Sequence, residues 1–236
     1  MPPAPAISIC VPVYNGVEYL EECLESVKAQ TWKDWELIVG INGHGADGGA
    51  VAVIASVFTA DDPRMRVVVQ QSHINDKVKS CNDLVMNHAQ GEWIAVLDCD
   101  DKWAPTKLET QMRAKYGMAR DAGVIGTHCL YFGTMSGSPH IPSGWIDPHS
   151  LAEANPLINS SVIMHRSLCH WRYTDLCYGM EDYDLWMRLA LAGVKMYNVP
   201  EPLTFHRIHP ASAFNSGAQD PAALQAAFRG TMAWLI

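Results

Sequence analysis

Three carboxylates stand within four residues at Asp98-Cys99-Asp100-Asp101, directly after the apolar run Trp93-Ile94-Ala95-Val96-Leu97. Acids packed this densely repel one another unless a cation sits among them. Hard oxygen ligands at a strand end suit Mg2+ or Mn2+, ions that also bridge the phosphates of a nucleotide. Taken alone, the same acids also fit a solvated turn or a helix N-cap before Pro105. A second acidic group, Glu181-Asp182-Tyr183-Asp184, follows Gly179-Met180 and opens an apolar-periodic segment. Acids in a first helical turn are ordinary partners of the macrodipole. Glu181 or Asp182 on a glycine-led turn could equally serve as a general base. A third group, His206-Arg207-Ile208-His209, has the His-x-x-His spacing of a metal pair, which also arises by chance on a strand. Arg207 offers the planar fork that pairs with phosphate oxygens.

The elements that must carry these groups alternate in period. Ile7–Val13, Trp35–Ile41, Arg66–Val69 and Trp93–Leu97 are short apolar runs that read as buried strands. Helical spacing links them over 16–30, 49–60 and 76–89. Continuous apolar strands separated by helices predict parallel βαβ units covered on both faces. Ligands bind such sheets beyond the carboxyl ends of the strands, where Asp98 falls. Further on, the pattern predicts a helix over 105–120 and a strand over 124–131. Residues 133–150 are rich in Gly, Pro, Ser and His and read as a mobile loop, expected to form a lid. Strands at 161–164, 194–199 and 203–206 and a helix over 181–192 complete this half. After a loop over 210–221, a last helix runs from Pro221 to Ile236. Its Trp234-Leu235-Ile236 end suggests a truncated chain or a surface docked elsewhere.

The chain has 236 residues, 48% of them hydrophobic and 18% charged, with a formal net charge of −8. That length buries a substantial core, and the composition excludes disorder. The acidic balance argues against nucleic-acid and anionic-membrane partners, and no apolar stretch is long enough to span a membrane. Seven cysteines without a CxxC pair fit thiols in a reducing, cytoplasmic compartment. The cysteines and remaining histidines are too scattered for zinc. Gly43-His44-Gly45-Ala46-Asp47-Gly48 fits the G-x-G-x-x-G dinucleotide fingerprint. It follows the second strand rather than the first, however, and the third ends in Gln70-Gln71 with no acid for a ribose. The P-loop and the G-x-S-x-G elbow are missing from the sequence. The tryptophans read as core or loop anchors, with Trp145 and Trp171 as alternatives for stacking on a sugar.

Assembled in order, these segments resemble the family 2 glycosyltransferases from about Ile7 to Ser212. Val11-Pro12-Val13-Tyr14-Asn15 is similar to the family's opening strand. Ala29-Gln30-Thr31-Trp32 with Trp35–Val39 resembles its second segment, and Ser80-Cys81-Asn82 with Ala89–Ile94 its third. Asp98-Cys99-Asp100-Asp101 resembles the metal-binding D-x-D. Glu181-Asp182 with Leu185–Leu189 resembles the catalytic helix, and Arg207-x-His209-x-x-Ser212 the C-terminal signature. The resemblance implies an α/β GT-A fold, with a Rossmann-like, mostly parallel central sheet flanked by helices and a smaller acceptor-side C-terminal part. It implies one domain, in which residues 1–103 bind donor, 104–212 bind acceptor and 213–236 close the chain.

It further implies metal-dependent, inverting transfer from a nucleotide-diphosphate sugar to a hydroxyl acceptor, a glycan among others, with UDP the first expectation and GDP or dTDP alternatives. Asp182, with Glu181 second to it, would deprotonate the acceptor hydroxyl. Asp98 would contact the ribose. Asp100 would bind Mn2+ or Mg2+, and His209 would contact metal or phosphate. Pro12, Tyr14 and Asn42 fall at the base pocket. Asn15, Lys79, Asn82, Cys99 and Arg207 are assigned to the nucleotide sugar as well. One departure stands out: Ile41-Asn42 replaces the family's Asp-Asp after the second strand, so an uncharged amide faces the base. A nucleotidyltransferase-like nucleotide-sugar enzyme and a non-catalytic nucleotide-sugar binder remain the alternatives. Six acids (Asp98, Asp100, Asp101, Glu181, Asp182, Asp184) place much of the net charge at the proposed cleft, and a partner or further domain is expected beyond Ile236.

Overall fold

A computed structural model describes residues 4–45, 48–70, 76–177, 179–210 and 219–232. Ala46-Asp47, Gln71, Ser212 and Trp234-Leu235-Ile236 of the readings above lie outside the described residues. Strands β1 (Ile7–Val13), β2 (Trp35–Ile41), β3 (Met65–Val69) and β4 (Trp93–Val96) form a parallel block in the order β3-β2-β1-β4. Helices α1 (Val17–Lys28) and α2 (Gly49–Thr59) make the first crossovers. The third is α3 (Lys77–Asp83), continued by a π-type turn over Leu84–His88. The chain therefore moves outward from β1 to β3 and returns to the other side of β1 for β4. That reversal opens a crevice beyond the ends of β1 and β4.

The sheet continues through β8 (Ile163–His165), antiparallel to β4 and to β6 (Val124–Gly133). Next to β6 lies β9 (Met196–Ile208), parallel to it, with β5 (Lys102–Trp103) and β7 (Gly144–Trp145) antiparallel on β9. The two strands expected at 194–199 and 203–206 are one. A bulge around Pro202 lets β9 stay paired with β6 across Pro200-Glu201-Pro202, whose two prolines read as a break. The segment expected as a free loop over 133–150 is tied down at several points. Tyr131 pairs with Gly137, the Thr134 amide donates to the Ile208 carbonyl at 2.9 Å, and β7 lies on β9. Turn-rich composition hid these pairings because none spans enough residues to set a period.

Side-chain alternation puts a core on each face of the sheet. Ile7, Ile9, Val11 and Val13 pack with Leu37, Val39 and Ile41 against α1, α2 and α4 (Lys107–Tyr116). Cys10 and Ile38 point the other way, towards α3, α5 (Glu181–Leu191) and α6 (Pro221–Met232). α5 buries Leu185, Trp186 and Leu189 of the face its spacing predicts, whereas Ala192, the fourth residue expected there, is the exposed C-cap. Seven free cysteines are all buried. No helix among the described residues is long and apolar enough to cross a membrane.

Candidate active site

Beyond the β1–β4 crevice lies a cavity of about 960 Å3. It is lined by Pro12, Tyr14, Asn15 and Asn42 on one side, by Asp98, Cys99 and Asp100 at its centre, and by Glu181 and Asp182 opposite. Segments distant in sequence thus meet at one place. His209 also lines it, whereas Lys79 faces a separate cavity of about 340 Å3 that shares only Asn42 with the first. Asn82 lines neither cavity among the described residues; its amide donates to the Trp171 carbonyl at 2.8 Å and accepts from the Trp171 amide at 3.1 Å. Asn82 thereby clamps the backbone next to the cavity. Arg207 sits behind the acids instead of lining the cavity.

The central acids are held by strand pairing. β5 follows them at once, and its register on β9, Lys102 opposite Phe205, brings Asp100 and Asp101 beside His206 and Arg207. Asp101 is fully buried; it accepts from the Arg207 amide at 2.9 Å and meets His206 Nδ1 at 3.0 Å. Burial opposes the charged form of His206, but the hydrogen bond and charge of Asp101 outweigh it and raise its pKa to about 8. His209 Nε2 lies 3.0 Å from Asp100 Oδ2. The two histidines of the His-x-x-His motif therefore serve different acids. Arg207 donates from Nε to the Asp100 carbonyl at 2.9 Å, pairs with Glu22, and packs between Tyr19 and Phe132 at 4.4 and 4.3 Å.

Lys77, which no motif reading singled out, lies 2.7 Å from Asp98. Burial works to raise the Asp98 pKa, but the Lys77 charge and hydrogen bond, helped by His206 and Asn159, hold it below the usual range. Asp100 goes the other way: burial first, then the charges of Asp101 and Asp98, push it up, with the His209 contact opposing. A carboxylate destabilised by like charges is one that a cation would relieve. Among the described residues no three His, Cys, Asp or Glu side chains converge on a metal position. Asp100 and His209 nevertheless supply an oxygen and a nitrogen donor side by side, and a divalent ion held with substrate phosphates and water needs few protein ligands.

Across the cavity, Gly179 takes a φ of +70°, the left-handed turn that starts α5. The Glu181 carboxylate accepts from the Gly179 amide at 3.0 Å and so finishes the helix end. Asp182 accepts from Asn155 Nδ2 at 3.2 Å, and burial raises its pKa against the opposing charge of Lys77. A carboxylate moved towards neutrality in a cavity is suited to take a proton. Asp184, next along, points away. It is 3% exposed and is bound by Arg172 at 2.7 Å and Arg188 at 2.8 Å. Of the three acids in this turn, Glu181 and Asp182 line the cavity, Glu181 also capping the helix, and Asp184 anchors. Asn155, Asn159 and Ser160 were also missed, being ordinary polar residues in a loop. The Asp98 amide donates to Ser160 Oγ at 3.2 Å. Trp171 lines the cavity but is only 4% exposed, and Trp145 packs on Tyr197 away from it. Gly43, Gly45 and Gly48 of the fingerprint-like turn do not line the cavity.

The family model described as "Glycosyl transferase family 2" matches residues 8–155, more than half the chain and including the central acids. The chain belongs to this family. As a member of glycosyl transferase family 2 it is an enzyme of the glycosyltransferase class, with the GT-A fold expected above. It is similar to the putative glycosyltransferase EpsE of Bacillus subtilis, 29% identical over 205 residues that cover 84% of this chain and 72% of that protein. It also resembles the putative teichuronic acid biosynthesis glycosyltransferase TuaG of the same organism, 32% identical over 46% of this chain and 41% of TuaG. Among solved structures, the mannosyltransferase PcManGT from Pyrobaculum calidifontis, in complex with GDP-Man and Mn2+, has a TM-score of 0.67 at 17% identity. That match covers 96% of this chain and 70% of PcManGT. S. aureus TarS 1–349 in complex with UDP-GlcNAc has a TM-score of 0.68 at 16% identity, covering 89% and 60%. At these identities the structures speak for the fold.

Proposed function

We propose that this family member transfers a sugar with inversion from a nucleotide diphosphate to a hydroxyl acceptor, with a divalent metal held at Asp100 and His209. The observation that carries this is the placement of Asp182 across one cavity from Asp98 and Asp100. Residues 1–103 form the donor side: Pro12, Tyr14, Asn15 and Asn42 line the base end, and Asp98 lies where the ribose would. Asn42 donates to the Val13 carbonyl at 3.2 Å and accepts from the Asp76 amide at 3.4 Å, which fixes its uncharged amide at that end of the cavity. UDP is the first expectation, with GDP and dTDP next. The complexes of PcManGT with GDP-Man and Mn2+ and of TarS with UDP-GlcNAc support donors of this class.

Residues 104–212 form the acceptor side. There Asp182, held by Asn155, takes the proton of the acceptor hydroxyl as its oxygen attacks the anomeric carbon from the face opposite the diphosphate. Glu181, engaged with the Gly179 amide, is the lesser candidate. The metal would offset the charge developing on the leaving diphosphate. Lys77, beside Asp98, adds a fixed positive charge near that end of the cavity. The raised pKa of Asp182 favours this reading over a non-catalytic nucleotide-sugar binder. The test is Asp182→Asn. Transfer should fall by at least about a thousandfold, while stabilisation by nucleoside diphosphate and Mn2+ persists. Unchanged turnover would exclude Asp182 as the base.

A further inference from the structure

We propose that the acceptor end of this cavity is built for an uncharged sugar and rejects acceptors that carry a carboxylate or phosphate beside the reacting hydroxyl. The proposal rests on the glycosyl-transfer reading and narrows its substrate class. Past Asp182 the charged groups on the cavity wall are Glu153, Glu181 and Asp182, all acidic. The neutral hydrogen-bonding groups there are the amides of Asn155, Gln219 and Gln225. Lys77 is the one Lys or Arg on the lining, and its ammonium lies 2.7 Å from Asp98 on the donor side.

No other Lys or Arg is available. All 17 in the sequence fall within the described residues. Those on the surrounding elements are committed. Arg172 and Arg188 hold Asp184, and Arg229 donates to the Ala152 carbonyl at 2.6 Å. Arg207 donates to the Asp100 carbonyl and pairs with Glu22. His140 is exposed at the rim, and the other basic side chains that line the cavity, His206 and His209, are engaged by Asp101 and Asp100 on the donor side. A bound carboxylate or phosphate would face Glu181 and Asp182 on the wall and Glu153 exposed at its edge without a guanidinium or ammonium to pair with, and like charges in a partly enclosed site are unfavourable. Sugar hydroxyls, by contrast, donate to carboxylates and exchange hydrogen bonds with amides at no charge cost.

The experiment compares the methyl glycosides of glucose and N-acetylglucosamine with their 6-carboxylate and 6-phosphate counterparts on the full chain, with Mn2+ and a nucleotide-sugar donor. The neutral member of each pair should have a kcat/KM at least about tenfold higher, the size expected for an unpaired like charge. In Glu153→Lys, the ratio of anionic to neutral turnover should rise at least about threefold. Thermal stabilisation by the same glycosides supplies a second reading that needs no turnover. An anionic member that is used or binds as well as its neutral partner overturns the proposal, as does a ratio unmoved in Glu153→Lys. Loss of the glycosyl-transfer reading looks different: no donor turnover to sugar or water, with the charge preference in binding still measurable.

Discussion

Replacing Asp184 by Asn separates an anchoring acid from the proposed base, Asp182, two residues away. The carboxylate is 3% exposed and accepts from Arg172 Nε at 2.9 Å, Arg172 Nη2 at 2.7 Å and Arg188 Nε at 2.8 Å. Hydrogen bonds to charged groups contribute roughly 1.5–3 kcal/mol each, and breaking a buried ion pair costs roughly 3–5 kcal/mol. Arg172 and Arg188 are 51% and 25% exposed and regain water when released, which sets the loss near the lower bound. A loss of about 3 kcal/mol in a chain of this size lowers the melting temperature by about 6–12 °C. Calorimetry of wild type and Asp184→Asn measures it. Arg172→Gln should cost less, because Arg188 still neutralises the acid and Arg172 is half in water. Well below the melting transition, Asp184→Asn should transfer sugar within about threefold of wild type, since its charge faces away from the cavity. A drop smaller than about 2 °C, or a larger loss in Arg172→Gln than in Asp184→Asn, would refute the reasoning.

Other outcomes follow from the same geometry. His206 has its pKa raised from 6.5 to about 8 in the folded protein, so its contribution is complete below pH 6.5 and fades as pH rises through 8. That amounts to about 2 kcal/mol, read as the difference in urea stability between pH 6 and pH 9 in EDTA; His206→Gln should flatten it. Gly126→Ala would place a Cβ 2.2 Å from Asn198 Oδ1 and 2.6 Å from Leu157. Overpacking there should cost about 3 kcal/mol, seen as a lower urea midpoint, and a variant as stable as wild type would contradict the packing. Stabilisation by a nucleoside diphosphate should carry a Mn2+-dependent part that EDTA, Asp100→Asn and His209→Ala each abolish. If that part survives both substitutions, the metal lies elsewhere.

The parallel half of the fold was legible because its buried strands are mostly apolar runs, as in Ile7–Val13, and the first crossover helix, α1, has a clear apolar face of Leu20, Cys23, Leu24 and Val27. α5 was equally clear from Leu185, Trp186 and Leu189. Pairings made by two or three residues were not, β5 at Lys102–Trp103 above all, because its register depends on β9 a hundred residues away. The same limit applies to the site. Asp98, Asp100 and Asp182 announce themselves by density and position, and they do face one cavity. Lys77 reads as one more solvent-facing lysine until folding sets it against Asp98. Asp184 reads like its acidic neighbours until Arg172 is seen beneath it. Lys107 is the extreme case: a lysine on an amphipathic helix that proves fully buried, its ammonium on Gln111 at 2.8 Å and over the Trp103 ring at 4.0 Å. Side-chain type predicts surface there, and only tertiary packing overrides it.

The bulge in β9 has a bearing on chemistry it never touches. Between Val199 and Thr204 the strand advances five residues while β6 advances two, from Thr127 to Cys129. The surplus is odd, and side chains alternate faces along a strand, so the bulge decides which parity of residue faces inward afterwards. With it, His206 turns to Asp101, and Arg207 presents its backbone there while its guanidinium reaches round to Glu22. Deleting one residue from Pro200-Glu201-Pro202 would exchange those two orientations without altering a single acid. The proline-rich bulge is thus the alignment gauge of the site, and a change in its length keeps the imidazole aimed only when it comes in steps of two.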